Sequence, residues 1–183
     1  MSSRQKPEIL HRQVVAHSRL FKIEQIHLKF SNQVERVYER MAGGSRGAVM
    51  VVPILGDELL LGREYAAGTD NYELGFPKGL IDPGEDAITA ANRELQEEIG
   101  YQAGRLTLLK ELSLAPGYFS SKMQIFLAQD LSPSKLEGDE PEPIEIETCP
   151  LAQWEQLLDN PDFTESRSVS ALFLALKHLN HES

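Results

Sequence analysis

The order of hydrophobic and polar residues predicts a chain built mainly from strands. Before residue 46, three segments have strand character: "QVVAHS", "LFKIEQIHLKF" and "QVERVYERM". The "SN" at Ser31 and Asn32 predicts a turn that joins the last two segments as an antiparallel hairpin. "GGSR" then reads as a linker. We therefore expect N-terminal strands at residues 1–45 and a second, larger domain at residues 46–183.

A second group of strands follows the linker. "AVMVVPIL" is a continuous apolar run and is typical of a fully buried strand, and "GD" turns the chain into "ELLLGREY". This pair is predicted to form the centre of a mixed sheet. Further strands are predicted at "LTLLKELSLA", "SKMQIFLAQDL" and "IEIETCPL", and helices at residues 151–158 and 166–180. The segment "EGDEPEP" at residues 137–143 contains two prolines and is predicted to be a loop.

The strongest helical pattern lies in "GLIDPGEDAITAANRELQEEIGY", residues 79–101. Asp86 or Glu85 is expected to cap its start, and Gly100 to end it. Apolar residues at helical spacing predict one stripe that packs on the sheet: Ile88, Ala91, Leu95 and Ile99. The adjacent arc, about 100° wide, carries three carboxylates: Glu94, Glu97 and Glu98. These carboxylates are expected at the edge of the buried face.

Composition and charge argue against several classes of function. The formal net charge of -10 argues against a broad nucleic-acid surface, because such binding relies on cationic contacts to phosphate. No apolar run approaches the ~20 residues of a membrane span, and the first ten residues lack the apolar segment of a signal peptide, so we expect no membrane partner and a cytoplasmic location. The single cysteine, Cys149, excludes a disulfide within the chain.

The acidic arc needs a compensating partner. Like charges three and four residues apart on a helix cost about 0.2 to 0.5 kcal/mol per pair. Solvent, arginine or a metal ion can offset this repulsion. Hard cations such as Mg²⁺ prefer oxygen ligands, and the glycine-rich turn before the helix can bring backbone carbonyls toward the carboxylates. A solvated acidic face is the plainer interpretation of the three glutamates taken alone.

The residues around the arc favour a metal site. Gly79, Glu85, Arg93-Glu94-Leu95, Glu97-Glu98 and Gly100 stand at the spacing of a 23-residue motif, and the segment resembles the Nudix box of the Nudix hydrolases. This resemblance implies an α+β fold, a Nudix α/β/α sandwich with a mixed sheet, preceded here by an N-terminal antiparallel β-sheet. It also implies hydrolysis of a nucleoside diphosphate linked to another moiety, with Mg²⁺ as cofactor and Mn²⁺ as a possible substitute.

The resemblance also assigns roles to individual residues of the box. Glu94 and Glu98 look like the principal metal ligands, with Glu97 as a third ligand or a bridge. The backbone carbonyl of Lys78 looks like a further ligand. Arg93, together with Glu85, looks like the pair that orients the acidic arc.

The general base is expected on a carboxylate near the metal. The family places this base either in the box or on a distant loop, and the acidic loop at residues 137–143 is the leading candidate region. Within the loop we favour Glu140 and then Glu142. Glu97 stays open as an alternative.

Segments outside the box resemble the ADP-ribose pyrophosphatase branch of the family. Pro116 stands sixteen residues after Gly100, and the resemblance places substrate contacts on four residues: Arg63, Glu73, Lys78 and Pro116. Many ADP-ribose-specific members carry a glutamate five residues past the proline, whereas this chain has Ser121.

The likeness extends over nearly the whole chain to Nudix enzymes that act on several ADP derivatives. The implied substrates are ADP-ribose, diadenosine triphosphate and NADH, with release of AMP. Two alternatives are a Nudix domain that senses nucleotide sugars without turnover and a nucleoside triphosphate pyrophosphohydrolase.

The first 45 residues predict self-association. They are too few to bury a core independently, and they carry more apolar surface than one small sheet can hide on itself. Members of this branch commonly exchange such a sheet between subunits. We therefore expect a homodimer in which the N-terminal segment packs against the neighbouring subunit near the entrance to its active site.

Overall fold

Strands dominate the computed structural model, which describes residues 5–42 and 46–182. Residues 43–45 of the predicted linker "GGSR" lie outside the described residues. The strands are β1 (Glu8–His17), β2 (Lys22–Lys29), β3 (Glu35–Met41), β4 (Ala48–Leu55), β5 (Glu58–Ala66), β6 (Asn71–Gly75), β7 (Lys78–Leu80), β8 (Tyr101–Ser113), β9 (Lys122–Pro133) and β10 (Glu145–Pro150). The helices are α1 (Ala87–Glu94), continued by a π turn (Leu95–Ile99), a 3-10 turn (Leu151–Gln153), α2 (Glu155–Asp159) and α3 (Ser166–Glu182).

The chain folds as two units. The first contains the N-terminal strands, in which β1, β2 and β3 form an antiparallel sheet, and it also contains residues 113–122 from the connection between β8 and β9. The hairpin of β2 and β3 turns at Ser31 and Asn32 as predicted. β1 begins at Glu8, before the predicted start at Gln13, because pairing with β2 extends back to that residue.

The second unit holds a mixed sheet of seven strands. Its order is β10-β5-β4-β9-β8, with β6 paired to β5 and β7 to β4. β4 and β9 run parallel, whereas β4 runs antiparallel to β5 and to β7. The predicted mixed sheet with β4 and β5 near its centre is confirmed. The short strands β6 and β7 were missed, because glycine and proline interrupt the strand pattern of "YELGFPKG".

Helices cover both faces of this sheet. Val49 and Val51 of β4 pack with α1 in one apolar cluster. Met50 and Val52 are equally buried, and since successive strand residues face opposite sides, they lie on the other face. α3 contacts β4, and its buried residues include Leu172. The predicted α/β/α sandwich is thereby confirmed.

The apolar stripe of α1 is only partly as predicted. Ala91, Leu95 and Ile99 are buried, but Ile88 in the first turn is 57% exposed. The buried arc is rotated toward Ala90, which is fully buried. The prediction for Ile88 is therefore wrong, because the helix turns a face that includes carboxylates toward the protein interior.

Among the described residues, none of the helices has both the length and the apolar composition that a membrane crossing requires.

Candidate active site

A turn, a cap and a π turn position the acidic helix. The side chain of Asp86 accepts a hydrogen bond from the backbone N–H of Thr89 at 2.8 Å, so Asp86 caps the start of α1. At the other end, the N–H of Gly100 donates to the carbonyl of Leu95, five residues earlier, at 3.1 Å. Gly100 has φ of 83°, a left-handed conformation that favours glycine. The π turn is thus enclosed between α1 and a glycine stop.

Two of the three glutamates are buried more deeply than the sequence indicated. Glu94 is 8% exposed and Glu98 6%, so both lie within the buried face and not at its edge. Burial raises the pKa of Glu98 to about 8, although the backbone N–H of Lys78 donates to its Oε1 at 3.1 Å and favours the charged form. Burial likewise raises the pKa of Glu94. A cation bound beside either carboxylate would therefore stabilise its charged form.

Arg93 organises the arc. Its guanidinium donates to Glu85 through Nε and Nη2, each at 3.0 Å, and these bonds lower the pKa of Glu85. Nη1 donates to Glu94 Oε1 at 2.7 Å and to Glu97 Oε2 at 2.8 Å. Nη2 also donates to the carbonyl of Leu80 at 3.0 Å. One arginine thereby ties the glycine-rich turn to two of the box glutamates.

The donor set fits a hard divalent cation. The Glu94 carboxylate lies against Gly79, where a Cβ atom would stand 2.0 Å from Oε1, so only glycine leaves room for it. Among the described residues, no three His, Cys, Asp or Glu side chains are already grouped around one metal position. Two of the box glutamates, Glu94 and Glu97, are instead hydrogen-bonded to Arg93. Carboxylate oxygens remain the available donors, which suits Mg²⁺ better than a soft metal.

Lys78 and Glu64 also line the site. Lys78 Nζ pairs with Glu64 Oε2 at 2.9 Å, and both residues line the same cleft as the acidic arc. Glu64 is not among the site residues predicted from the sequence. Strand alternation was the available signal, because Leu60, Gly62 and Glu64 share the face of β5 that packs toward α1.

The acidic loop reaches the cleft as predicted. The cleft has a volume of about 580 Å³, and residues 137–141 line it together with Glu94, Glu97 and Glu98. The carboxylate of Glu140 lies against Gly138, where a Cβ atom would stand 2.1 Å from Oε2. Glu142 does not line the cleft and instead accepts a hydrogen bond from the hydroxyl of Tyr72 at 2.5 Å. The loop therefore presents Glu140, and not Glu142, to the acidic arc.

Three residues expected to contact substrate lie outside this cleft. Arg63 donates to Glu147 at 2.7 Å and to Asp162 at 2.7 Å, which joins β5 to β10 and to the segment before α3. Glu73 lines a smaller neighbouring cavity of about 200 Å³ and accepts from Thr164 at 2.9 Å. Pro116 belongs to the first unit and lines a groove there. Their contacts with substrate stay predictions.

Comparisons with known proteins cover nearly the whole chain. A family model described as the NUDIX domain matches residues 44–173, and one described as the NudE-type Nudix hydrolase N-terminal domain matches residues 7–40. ADP compounds hydrolase NudE of Escherichia coli (strain K12) is 61% identical over 177 residues, covering 97% of this chain and 95% of that protein. The ADP-sugar pyrophosphatase of Mus musculus is 30% identical, covering 75% of this chain and 70% of that protein.

A solved structure shares the fold. The crystal structure of an ADP compounds hydrolase superposes with a TM-score of 0.95 at 59% sequence identity, covering 100% of this chain and 99% of that one. The likeness therefore includes the N-terminal sheet as well as the seven-stranded sheet.

Proposed function

The chain belongs to the Nudix hydrolase family, and on that basis we propose that it hydrolyses the diphosphate bridge of ADP derivatives and releases AMP. The substrates we propose are ADP-ribose, diadenosine triphosphate and NADH. The observation that carries the proposal is 61% identity, over almost the full length, to an ADP compounds hydrolase. The carboxylates that line the cleft support this proposal, because a divalent cation bound by them would balance the negative charge of a diphosphate.

Nudix hydrolases use divalent metal ions, and we propose Mg²⁺ for this chain, with Mn²⁺ able to substitute. The ligands we propose are Glu94, Glu98 and Glu97 with the carbonyl of Lys78. When bound, the cation supplies charge neutralisation of the phosphates and lowers the pKa of a water molecule. Arg93 donates to Glu94 Oε1 and to Glu97 Oε2, and the N–H of Lys78 fixes the orientation of Glu98.

We assign the general base to Glu140. Its carboxylate is half-buried, lines the cleft and lies close enough to raise the pKa of Glu94 by charge repulsion, in addition to the larger effect of burial. A carboxylate in that place can take the proton from an attacking water at an oxygen that no described side chain donates to. Glu142 is less suited, since the hydroxyl of Tyr72 occupies one of its oxygens.

Release of AMP from a panel of substrates tests the proposed function. The panel contains ADP-ribose, NADH, diadenosine triphosphate and dGTP, each with Mg²⁺ and with a chelator. We expect AMP from the first three substrates and no activity with the chelator. Preference for dGTP would favour a triphosphate pyrophosphohydrolase, and binding without turnover would favour a sensing domain.

We also propose that the chain acts as a homodimer through its N-terminal sheet, and that it works in the cytoplasm. Ile26 is the only described residue of β1, β2 and β3 that is buried. Large apolar side chains on these strands remain exposed: Ile9, Leu10, Val14, Val15, Val37 and Tyr38. Exposed patches of this kind mark interfaces, and a second copy is the most economical partner.

Deletion of residues 1–42 tests the assembly. The truncated chain should sediment as a monomer, and its activity should be low although the box is intact. A full-length protein that stays monomeric at micromolar concentration would overturn the proposed dimer. A dimeric truncated form would move the interface to the catalytic unit.

A further inference from the structure

The segment that leads into the acidic loop is bound to the end of the acidic helix. Three consecutive residues, 134–136, take part, and we call this segment the strap. The N–H of Ser134 donates to the carbonyl of Gly100 at 2.9 Å, and the N–H of Leu136 donates to the carbonyl of Gln96 at 3.3 Å. Between them, Lys135 Nζ donates to the carbonyl of Glu97. Each strap residue therefore satisfies a carbonyl at the end of the π turn, where the helix leaves its last carbonyls without a partner of its own.

Side chains reinforce this attachment. The hydroxyl of Ser134 donates to Gln96 Oε1 at 2.9 Å. The Cδ of Lys135 would contact a Cβ placed on Gly100 at 3.5 Å, so its aliphatic stem lies along the glycine that ends the π turn. A cation at a helix C-terminus is also favoured by the helix dipole. The strap is thus fixed to the same turn that carries Glu97 and Glu98.

The far side of the loop has its own anchor. The hydroxyl of Tyr72 on β6 donates to Glu142 at 2.5 Å. Glu140 follows the last strap residue by four positions and precedes Glu142 by two, with Pro141 between them. The chain that carries Glu140 is consequently held on both sides, and only residues 137–139 separate it from the strap.

We propose that Lys135 and Tyr72 are positioning residues, which hold the loop so that the carboxylate of Glu140 stays directed at the acidic arc. This inference rests on the proposed function, in which Glu140 takes a proton. It assigns catalytic importance to two exposed side chains that lie outside the Nudix box. Their effect reaches the reaction through the geometry of Glu140.

Kinetics of four single variants test the proposal. Lys135→Met removes the ammonium and keeps the aliphatic stem on Gly100, and Tyr72→Phe removes only the hydroxyl. Each should lower kcat for ADP-ribose about tenfold, less than the ~10²-fold that a 1 Å misplacement can cost. KM and the affinity for Mn²⁺ should stay unchanged. Lys135→Arg should restore kcat, and Lys110→Met, an exposed lysine on β8, serves as the matched control.

A double-mutant cycle separates positioning from general stabilisation. If Lys135 acts through Glu140, then Lys135→Met should cost nothing further in a Glu140→Gln background. A full additional tenfold loss in that background would overturn the proposal. So would an unchanged kcat in both single variants, or a loss explained by a lower melting temperature or weaker Mn²⁺ binding.

Amide hydrogen exchange gives a result that does not depend on activity. The amides of residues 137–140 should exchange faster in Lys135→Met and in Tyr72→Phe than in the wild type or in Lys110→Met. Exchange at wild-type rates in both variants would overturn the positioning role. Failure of the wild type to release AMP from any substrate would instead refute the proposed function, while faster exchange would still support the hold on the loop.

Discussion

The cleft brings together two acidic segments that are built in opposite ways. On the helix, Glu94 and Glu98 are buried, and Arg93 and the N–H of Lys78 bind their oxygens. On the loop, Glu137 and Asp139 are exposed and Glu140 is half-buried. The helix therefore carries carboxylates whose positions are fixed before any ligand arrives. The loop carries a carboxylate whose position depends on how the backbone on either side is held.

This difference separates two kinds of chemical work. Ligands for a cation benefit from burial, because a desolvated carboxylate gains most when its charge is balanced. A group that accepts a proton needs access to water and a position within hydrogen-bond reach of the proton it takes. The glutamates of the helix meet the first need and Glu140 meets the second. Substitutions that change the charge or shape of side chains in each segment test this division.

Glu98→Gln should have the largest effect. Loss of the buried carboxylate should bring turnover below detection, because metal stabilisation of charge contributes several kcal/mol and each 1.36 kcal/mol is tenfold in rate. The fold should persist, since glutamine has nearly the same shape. Assays over a Mg²⁺ titration check this, with Glu155→Gln on α2 as an exposed control. Near-normal activity at limiting Mg²⁺ would contradict the role of Glu98 as a ligand.

Glu140→Gln should lower kcat by about 10² to 10⁴, the usual range for a lost general base. Mn²⁺ affinity should change little, because the helix carries the proposed ligands. Glu142→Gln is the matched comparison on the same loop and should lose at most the roughly tenfold expected for Tyr72→Phe, because the glutamine oxygen can still accept from the hydroxyl of Tyr72. If Glu142→Gln loses more than Glu140→Gln, the base is Glu142, and weaker Mn²⁺ binding in Glu140→Gln would make Glu140 a ligand.

Two glycine substitutions compare the segments directly. A Cβ at Gly79 would stand 2.0 Å from Glu94 Oε1, and one at Gly138 would stand 2.1 Å from Glu140 Oε2. Gly79→Ala should lower the free energy of unfolding by about 1 to 3 kcal/mol, as for overpacking, because Glu94 is buried and bound. Gly138→Ala should leave stability nearly unchanged and lower kcat about tenfold, since the Glu140 carboxylate can swing away. Denaturant unfolding gives the stability of each variant, and kinetics give its kcat. Equal loss of stability in the two variants would contradict the proposed difference between the helix and the loop.

The smallest effect concerns pH. The pKa of Glu98 is raised by burial from 4.5 to about 8, so the native state binds its proton more tightly than the unfolded chain. Protonated Glu98 therefore adds to the free energy of unfolding. This contribution is fully present below about pH 4.5 and is lost as pH rises through about 8. In chelator, Glu98→Gln should therefore gain a few degrees in melting temperature over the wild type at pH 8.5 and little at pH 4.5, since ~1 kcal/mol shifts Tm by about 2–4 °C.

The exposed loop supplies the control for this measurement. Glu137→Gln replaces an exposed glutamate of the loop, so its melting temperature should stay near that of the wild type at both pH values, as for most surface substitutions. If the melting temperatures of Glu98→Gln and Glu137→Gln change in the same way between the two pH values, burial of Glu98 does not govern the pH dependence.

Much of the fold could be predicted from sequence patterns. β4 matches the predicted run "AVMVVPIL", and the loop at residues 137–143 follows from its prolines. Strand alternation and helical spacing are local properties, so they survive folding. Ile88 shows the limit, because helical spacing alone cannot say whether a first-turn residue meets the sheet. The grouping of residues 113–122 with the N-terminal strands depends on pairing between distant segments, such as Met41 with Phe119.

The candidate site also contains features that a local pattern predicts and features that depend on distant segments. The sequence indicates the acidic arc and the pairing of Arg93 with Glu85, because they belong to one local motif. It does not indicate Glu64 beside Lys78, the strap on the helix end or the hydroxyl of Tyr72 on Glu142, because each joins segments far apart in the chain. The two partners of Arg63, Glu147 and Asp162, are likewise remote in sequence.

The π turn at Leu95–Ile99 makes the helix sensitive to its residue count. A π turn holds one residue more than an α turn of the same height, and such turns are frequent at functional sites. Deleting one residue from it would let the helix finish in ordinary α geometry and would be an easy change for the backbone. It would also change the angle around the axis between Glu94 and Glu98, because side chains within the wider turn are spaced by less than the 100° per residue of an α-helix. The angular phase of Glu98, and not only its identity, is thus encoded by a single surplus residue.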